Sequence, residues 1–324
     1  MRVLIVKLSS LGDVVHAMPV VHDILGAKPD AQIDWVVEPG FASLVKRVEG
    51  VTEVIECSLR RWSKTWWASA TRIEWRDFRA RLGRERYDAV LDLQGLTKSA
   101  VIARLAKLAA GGASYGLANR TDGASHEPPA RWLVDHAIRI EPRTHALDRS
   151  RELAARALGY TLDGAPVFGL RRTPAATTAT PTLVFVHGTS RDDKLWPEDH
   201  WIALGRRVLA RGWRIALPHA GAAELERAQR LKTALGEAVE IWPATSLDAL
   251  VDRMGATQGV IGVDSGLSHI AVALDLPHVQ LYNFPTAWRT GPQAAHGHAH
   301  QVSVQAQPTP TVDEVWDAWV QVSP

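Results

Sequence analysis

The chain has 324 residues, 46% of them hydrophobic and 22% charged, which is enough for two domains that each bury a core. Its 37 basic and 35 acidic side chains leave a formal charge of +2, so the overall balance marks neither a nucleic-acid nor a membrane partner. A single cysteine, Cys57, excludes an internal disulfide framework and fits a reducing compartment, and no stretch approaches the ~20 apolar residues of a membrane-spanning helix.

The opening run Met1-Arg2-Val3-Leu4-Ile5-Val6-Lys7 is too short for a signal peptide, and Lys7 and Asp13 interrupt it. It reads as a first buried strand. Further strand patterns follow at 33–37, 54–57, 89–93 and 132–140, with helical patterns at 14–25, 98–110 and 147–158. The alanine and threonine stretch between Pro174 and Pro181 has no apolar periodicity and is expected to be a linker. A second series has strands at 183–186, 214–217, 239–242, 259–263 and 279–282, and helices at 201–210 and 267–274. This alternation predicts an α/β protein with a parallel sheet covered by helices in each half, two nucleotide-fold layers facing each other. The expected domains are 1–173 and 182–310. From 311 to 324, Val312, Val315, Trp316, Trp319 and Val320 recur at helical spacing behind a Thr311/Glu314 capping box, which predicts a docked C-terminal helix.

Three loops at strand ends carry candidate chemistry. The first, Ser9-Ser10-Leu11-Gly12-Asp13, lies where an open parallel sheet binds ligands. Asp13 is either a helix cap or a catalytic base, with Lys7 and His16 near enough to orient it or to bind an acidic acceptor. The second runs from His187 to Pro197. Its Thr189, Ser190 and Lys194 suit a diphosphate, and its Asp192-Asp193 pair reads more readily as a salt-bridged turn than as a metal site. The third, Asp264-Ser265-Gly266-Leu267-Ser268-His269, sets small residues at a helix start, where phosphate meets free amides. It is also an ordinary strand-to-helix turn with Asp264 as cap. Neither Gly-x-Gly-x-x-Gly nor Gly-x-x-x-x-Gly-Lys-Thr occurs, which argues against a dehydrogenase or a P-loop enzyme.

The tryptophan count, thirteen against four tyrosines and five phenylalanines, is unusual. Residues 60–86 hold nine basic side chains against Glu74, Asp77 and Glu85, interleaved with Trp62, Trp66, Trp67 and Trp75. That composition suits an anionic membrane surface or a phosphorylated lipid, and equally a solvated helix that packs its tryptophans inward. His296, His298 and His300 alternate as a metal site would, yet lack an acidic or cysteine neighbour, so a surface segment is the expectation.

With these loops in hand, the sequence resembles the lipopolysaccharide heptosyltransferases of type I over nearly its whole length. The resemblance is strongest from Met1 to Pro19, at Asp34-Trp35-Val36-Val37-Glu38, at Arg60-Arg61-Trp62, at Arg191-Asp192-Asp193-Lys194-Leu195-Trp196-Pro197 and at Asp264-Ser265-Gly266-Leu267-Ser268-His269. It implies a GT-B architecture of two Rossmann-like domains with parallel sheets facing across a cleft, the C-terminal helix returning to the first. It implies inverting transfer of heptose from ADP-L-glycero-β-D-manno-heptose (ADP-heptose) to the Kdo of Kdo2-lipid A, without metal or other cofactor and without nucleic acid. The location implied is cytoplasmic, peripheral on the inner membrane. Asp13 falls on the base, and Thr189, Ser190, Lys194, Glu224, Asp264, Ser265, Gly266 and His269 on donor contacts. Lys7, Ser10, Arg60, Arg61 and Lys64 fall at the acceptor side. Ser63, Ser190, Ser265 and the segment 282–290 depart from the family pattern. The alternatives are a related GT-B enzyme with another donor or acceptor, a sugar-nucleotide epimerase, or a non-catalytic nucleotide-sugar or lipid-binding protein.

Overall fold

The computed structural model describes residues 1–173, 180–293, 296–297 and 299–323. It divides into two units, Met1–Leu170 and Arg171–Pro324. The boundary falls before the expected 173, because Thr173 already belongs to the second unit: its amide donates to Asp252 Oδ1 at 2.7 Å and its hydroxyl to Oδ2 at 3.3 Å. Most of the expected linker, 174–179, lies outside the described residues.

The first unit has strands β1 (Arg2–Val6), β2 (Gln32–Val37), β3 (Val51–Glu56), β4 (Tyr87–Asp92), β5 (Leu108–Leu117) and β6 (His136–Ile138), with order β3-β2-β1-β4-β5-β6. All neighbours pair parallel. Helices α1 (Leu11–Ala17), α2 (Pro19–Ala27), α3 (Pro39–Val45), α4 (Leu59–Trp62), α5 (Ser69–Leu82), α6 (Thr97–Leu105) and α7 (Ala146–Leu158) make the connections. Val3 to Val6 are fully buried, as a parallel strand covered on both faces requires. The predicted helix 98–110 stops at Leu105, and β5 follows it unanticipated. Its sequence Leu-Ala-Ala-Gly-Gly-Ala-Ser carries no β-branched signal. The glycines serve a bulge, since Tyr87 pairs with Leu108 but Ala89 with Ala113, and a Cβ on Gly112 would lie 2.5 Å from the Tyr87 carbonyl. The predicted strand 132–140 shrinks to β6, with Pro128–Trp132 forming a tight turn of 3-10 helix.

The second unit repeats the plan. Strands β7 (Thr182–Val186), β8 (Arg214–Leu217), β9 (Val239–Ile241), β10 (Gly259–Val263), β11 (His278–Tyr282) and β12 (Gln301–Gln305) take the order β12-β11-β10-β7-β8-β9. Its helices are α8 (Glu198–Ala210), α9 (Ala222–Leu235), α10 (Leu247–Gly255), α11 (Gly266–Ala273), α12 (Ala287–Thr290) and α13 (Val312–Val322). Strand β12, with one alternating apolar pair, also escaped the sequence reading.

In α13 the predicted capping box forms: the Glu314 amide donates to Thr311 Oγ1 at 3.3 Å and the Thr311 amide to Glu314 Oε2 at 2.8 Å. Its docking corrects the expectation of a return to the first unit. Val315, Ala318, Trp319 and Val322 are buried in the second core with Trp196 and Trp201. Gly259 makes this possible, because any Cβ there would lie 2.4 Å from the Trp319 ring. The tryptophan surplus is thus largely structural, with Trp35, Trp196, Trp201 and Trp319 among the largest fully buried side chains.

Each sheet reverses its strand order once, between β1 and β4 and between β7 and β10. A crevice opens at the carboxyl ends of strands flanking such a switch point. The predicted loops after β1, β7 and β10 all sit there.

Candidate active site

In the first unit Asp13 occupies the third position of α1, whose N-cap is Ser10. The Ser10 amide donates to Asp13 Oδ2 at 3.3 Å and the Ser10 hydroxyl at 3.0 Å. Lys7 Nζ lies 3.4 Å from Oδ1 and the Arg149 guanidinium 3.8 Å away. Burial pushes this carboxyl up, but Lys7, Arg149 and the two Ser10 bonds outweigh it and hold the pKa below the ordinary aspartate value. The two cations thus reverse the effect of burial. Asp13 is therefore ionised at neutral pH, with a side chain 37% exposed.

Lys7 was expected among the acceptor contacts, but it is 1% exposed. Its ammonium donates to the Leu93 carbonyl at 2.9 Å as well as to Asp13. Burial pulls its pKa down, Asp13 opposes that, and Arg149 adds to it. Its place is behind Asp13, where it acts on the carboxylate and not on a ligand.

The end of β4 supports the same loop. Gln94 Oε1 accepts from the amides of Leu8 at 3.1 Å and Ser9 at 3.2 Å. Gln94 is itself set by Asp92, whose Oδ1 accepts from the Gln94 amide at 3.0 Å and the Gly95 amide at 3.3 Å, with Gly95 at φ +77°. Asp92 is 1% exposed, and burial pushes it up to about 6 despite these bonds.

Of the predicted acceptor residues, Arg60 reaches the loop, donating to Ser9 Oγ at 3.1 Å, while its amide donates to Glu38 Oε1 at 3.3 Å. Arg61 is paired with Glu74, which also accepts from the Trp62 indole at 2.8 Å. Such an exposed pair is worth little and is readily exchanged for a ligand. Lys64 is exposed in the turn that follows α4.

In the second unit the ends of β7 and β10 gather the predicted donor residues. Lys194 Nζ donates to Asp264 Oδ2 at 2.6 Å, and His269 Nε2 lies 3.5 Å from Oδ1. Burial opposes the charge on Asp264, but His269 and Lys194 hold it well below the usual carboxylate range. Thr189 Oγ1 donates to the Asp264 carbonyl at 3.1 Å. Ser265 is the N-cap of α11, which begins at Gly266 and presents its first amides at the switch point. Ser190 is exposed nearby. Glu224, from α9, accepts from the Ala220 amide at 2.7 Å and lies over Gly188, where a Cβ would come within 2.3 Å of its carboxyl.

The sequence profile of glycosyltransferase family 9 (heptosyltransferase) matches residues 75–317. Lipopolysaccharide heptosyltransferase 1 of Pseudomonas aeruginosa is 40% identical over 285 residues, covering 87% of this chain and 78% of that protein. Among solved structures, Escherichia coli heptosyltransferase WaaC with ADP superposes with a TM-score of 0.86 at 35% identity over 98% of both chains. The same enzyme with ADP-2-deoxy-2-fluoro heptose gives 0.82 at 36% identity, again over 98% of both chains. The chain belongs to glycosyltransferase family 9, the heptosyltransferases. It is a glycosyltransferase with the GT-B pair of Rossmann-like units, which sets aside the epimerase and the non-catalytic alternatives.

Within this family member, three site residues were missed by sequence reasoning. Asp92 lies within the predicted strand 89–93 and Gln94 just follows it, but only the order β1-β4 puts them beside the Asp13 loop. Arg149 comes from α7, where it also donates to Thr121 Oγ1 at 3.0 Å, and no local pattern links it to residue 13. The divergent segment 282–290 supports the loop after β7: Asn283 donates to the carbonyls of Asp193 and Leu195, both at 2.9 Å, and accepts from Thr309 Oγ1 at 2.7 Å. Asp193 is engaged by Arg191, the salt-bridged turn expected for the acidic pair. His300 is held by Asp275 at 3.1 Å, and His298 lies outside the described residues.

Proposed function

We propose that this glycosyltransferase moves L-glycero-D-manno-heptose from ADP-L-glycero-β-D-manno-heptose to a Kdo hydroxyl of Kdo2-lipid A, with inversion, as the first heptose of the lipopolysaccharide core. The observation that carries this reading is the match, over 98% of both chains, to a solved enzyme holding ADP-2-deoxy-2-fluoro heptose. The 40% identity to lipopolysaccharide heptosyltransferase 1 supports the acceptor.

In this mechanism the acceptor oxygen attacks the anomeric carbon in one displacement, the bond from that carbon to the diphosphate oxygen breaks, and the hydroxyl proton passes to Asp13. Lys7 and Arg149 keep the carboxylate ionised until that transfer. ADP leaves carrying the electron pair, stabilised by Lys194 and by the amides at Ser265 and Gly266. Lys194 is freed for this by leaving Asp264, which then meets a sugar hydroxyl beside His269. Thr189, Ser190 and Glu224 complete the donor contacts. These groups supply the charge that a divalent ion supplies elsewhere, so the reaction requires no metal. Arg60, Arg61 and Lys64 receive the acidic acceptor, with Ser10 next to the base. Because the acceptor is a membrane lipid, the enzyme works peripherally at the cytoplasmic face of the inner membrane; among the described residues no helix is long and apolar enough to cross one.

The test combines purified protein, ADP-heptose and Kdo2-lipid A, with and without chelator. Heptose transfer that survives chelation is the expected result, and failure of transfer with this pair sinks the substrate assignment. Asp13→Asn is expected to abolish turnover while ADP still binds. Near-normal turnover in that variant removes Asp13 as the base.

A further inference from the structure

The tryptophans of the basic segment divide into two pairs. Trp62 and Trp75 turn inward, edge to face at 5.6 Å, and pack on Phe78. Trp66 and Trp67 turn outward, 69% and 63% exposed, their rings 6.2 Å apart. Helix α5 continues the same division. Thr71, Phe78 and Leu82 are buried, whereas Arg72, Arg76 and Arg79, at i, i+4 and i+7, are exposed beside Ile73, itself 51% exposed. The acidic group on this outer face is Asp77, 3.6 Å from Arg76; Glu74 is taken by Arg61 and Trp62.

Two adjacent exposed indoles beside a row of exposed arginines match the interface of an anionic bilayer. Indole rings sit at the depth of lipid head groups, and arginines at that depth meet anionic phosphates. We infer that the Trp66-Trp67 turn and the arginine face of α5 dock this enzyme on an anionic bilayer. Trp66 and Trp67 enter the interface while Arg72, Arg76 and Arg79 contact lipid phosphate. The inference rests on the proposed function only in that the acceptor is a membrane lipid, and it names the surface that brings the enzyme to that lipid.

Sedimentation of the full chain with vesicles that contain no Kdo2-lipid A tests docking apart from catalysis. The wild type is expected to bind phosphatidylethanolamine–phosphatidylglycerol vesicles and to release in high salt, where screening shortens the reach of the arginines. Arg72→Gln/Arg76→Gln should weaken binding about twenty-fivefold, fivefold for each charge lost. Trp66→Ser/Trp67→Ser should weaken it at least ~10-fold while leaving transfer to a water-soluble Kdo saccharide unchanged. Vesicle binding by Trp66→Ser/Trp67→Ser equal to wild type, or equal wild-type binding to phosphatidylcholine vesicles, overturns the assignment. So does loss of the soluble transfer in that variant, which would place the pair in the active site. Failure of heptose transfer by the wild type, with vesicle binding intact, would instead count against the proposed substrates alone.

Discussion

Replacing Gln94 by leucine tests whether the end of β4 holds the Ser9–Asp13 loop, with its proposed base, in place. Leucine is one atom shorter and has no polar group, so Leu8 and Ser9 each lose the oxygen that their amides donate to, at 3.1 and 3.2 Å. A buried amide left without an acceptor costs ~1–3 kcal/mol. Gln94 is only partly buried, so water recovers some of the deficit and the lower end, ~1 kcal/mol for each amide, applies. The loop escapes this cost by moving, which carries Ser10 and Asp13 away from their position in the proposed mechanism. If the whole ~2 kcal/mol falls on the reactive geometry, kcat drops about 30-fold. The proposed donor residues lie in the other unit, so the Kd for ADP should stay at the wild-type value. Gln94→Glu keeps an acceptor oxygen at the same reach and should recover most of the activity. Steady-state transfer rates and ADP titration of both variants are the assay. A Gln94→Leu enzyme within twofold of wild-type kcat, or a Glu variant as impaired as the Leu one, would refute the reasoning.

Other consequences follow from the same geometry. Lys7→Met removes the nearest charge that holds Asp13 down, so burial gains weight and the carboxyl pKa rises; the acid limb of the kcat/KM profile should move to higher pH, and an unmoved limb counts against Lys7 as the tuning group. Asp92, raised from 3.8 to about 6, binds its proton more tightly folded than unfolded, so its ionisation costs stability as pH rises from 4 to 6. Asp92→Asn keeps the oxygen that Gln94 and Gly95 donate to and should gain up to about 3 kcal/mol on the wild type across that window in urea titrations; a constant difference would show that Asp92 titrates normally. Trp319→Ala should cost ~3–5 kcal/mol, as a large buried aromatic lost from a core does, and should appear as early melting of the second unit in calorimetry; a small shift would mean that α13 is not integral to that core.

Features whose cause lies within a few residues were legible in the chain itself. The buried strand leading into Ser9-Ser10-Leu11-Gly12-Asp13, the Thr311/Glu314 cap and the loops after β7 and β10 follow from apolar runs, turn residues and capping groups that neighbours in sequence determine. Their position at the carboxyl ends of parallel strands followed from the alternation of strand and helix. Where partners are distant, the pattern was silent or misleading. Strand β5 looked like a helix tail because its glycines answer to the Tyr87 backbone across the sheet, not to their own neighbours. The inward and outward tryptophans of 60–86 share one composition, and only packing against Phe78 separates them. Helix α13 displays an apolar stripe without an address, which Gly259 supplies by leaving room for Trp319.

The carboxylate at position 13 shows the same division most directly. Its place at a helix start is a local property, set by Ser10 three residues earlier. Its charge state is a property of the fold, because strand order puts Gln94 beneath the loop, buries Lys7 behind it and brings Arg149 from α7 within 3.8 Å. Sequence periodicity reports which face of an element is apolar; only the packed sheet decides which charges converge on one oxygen.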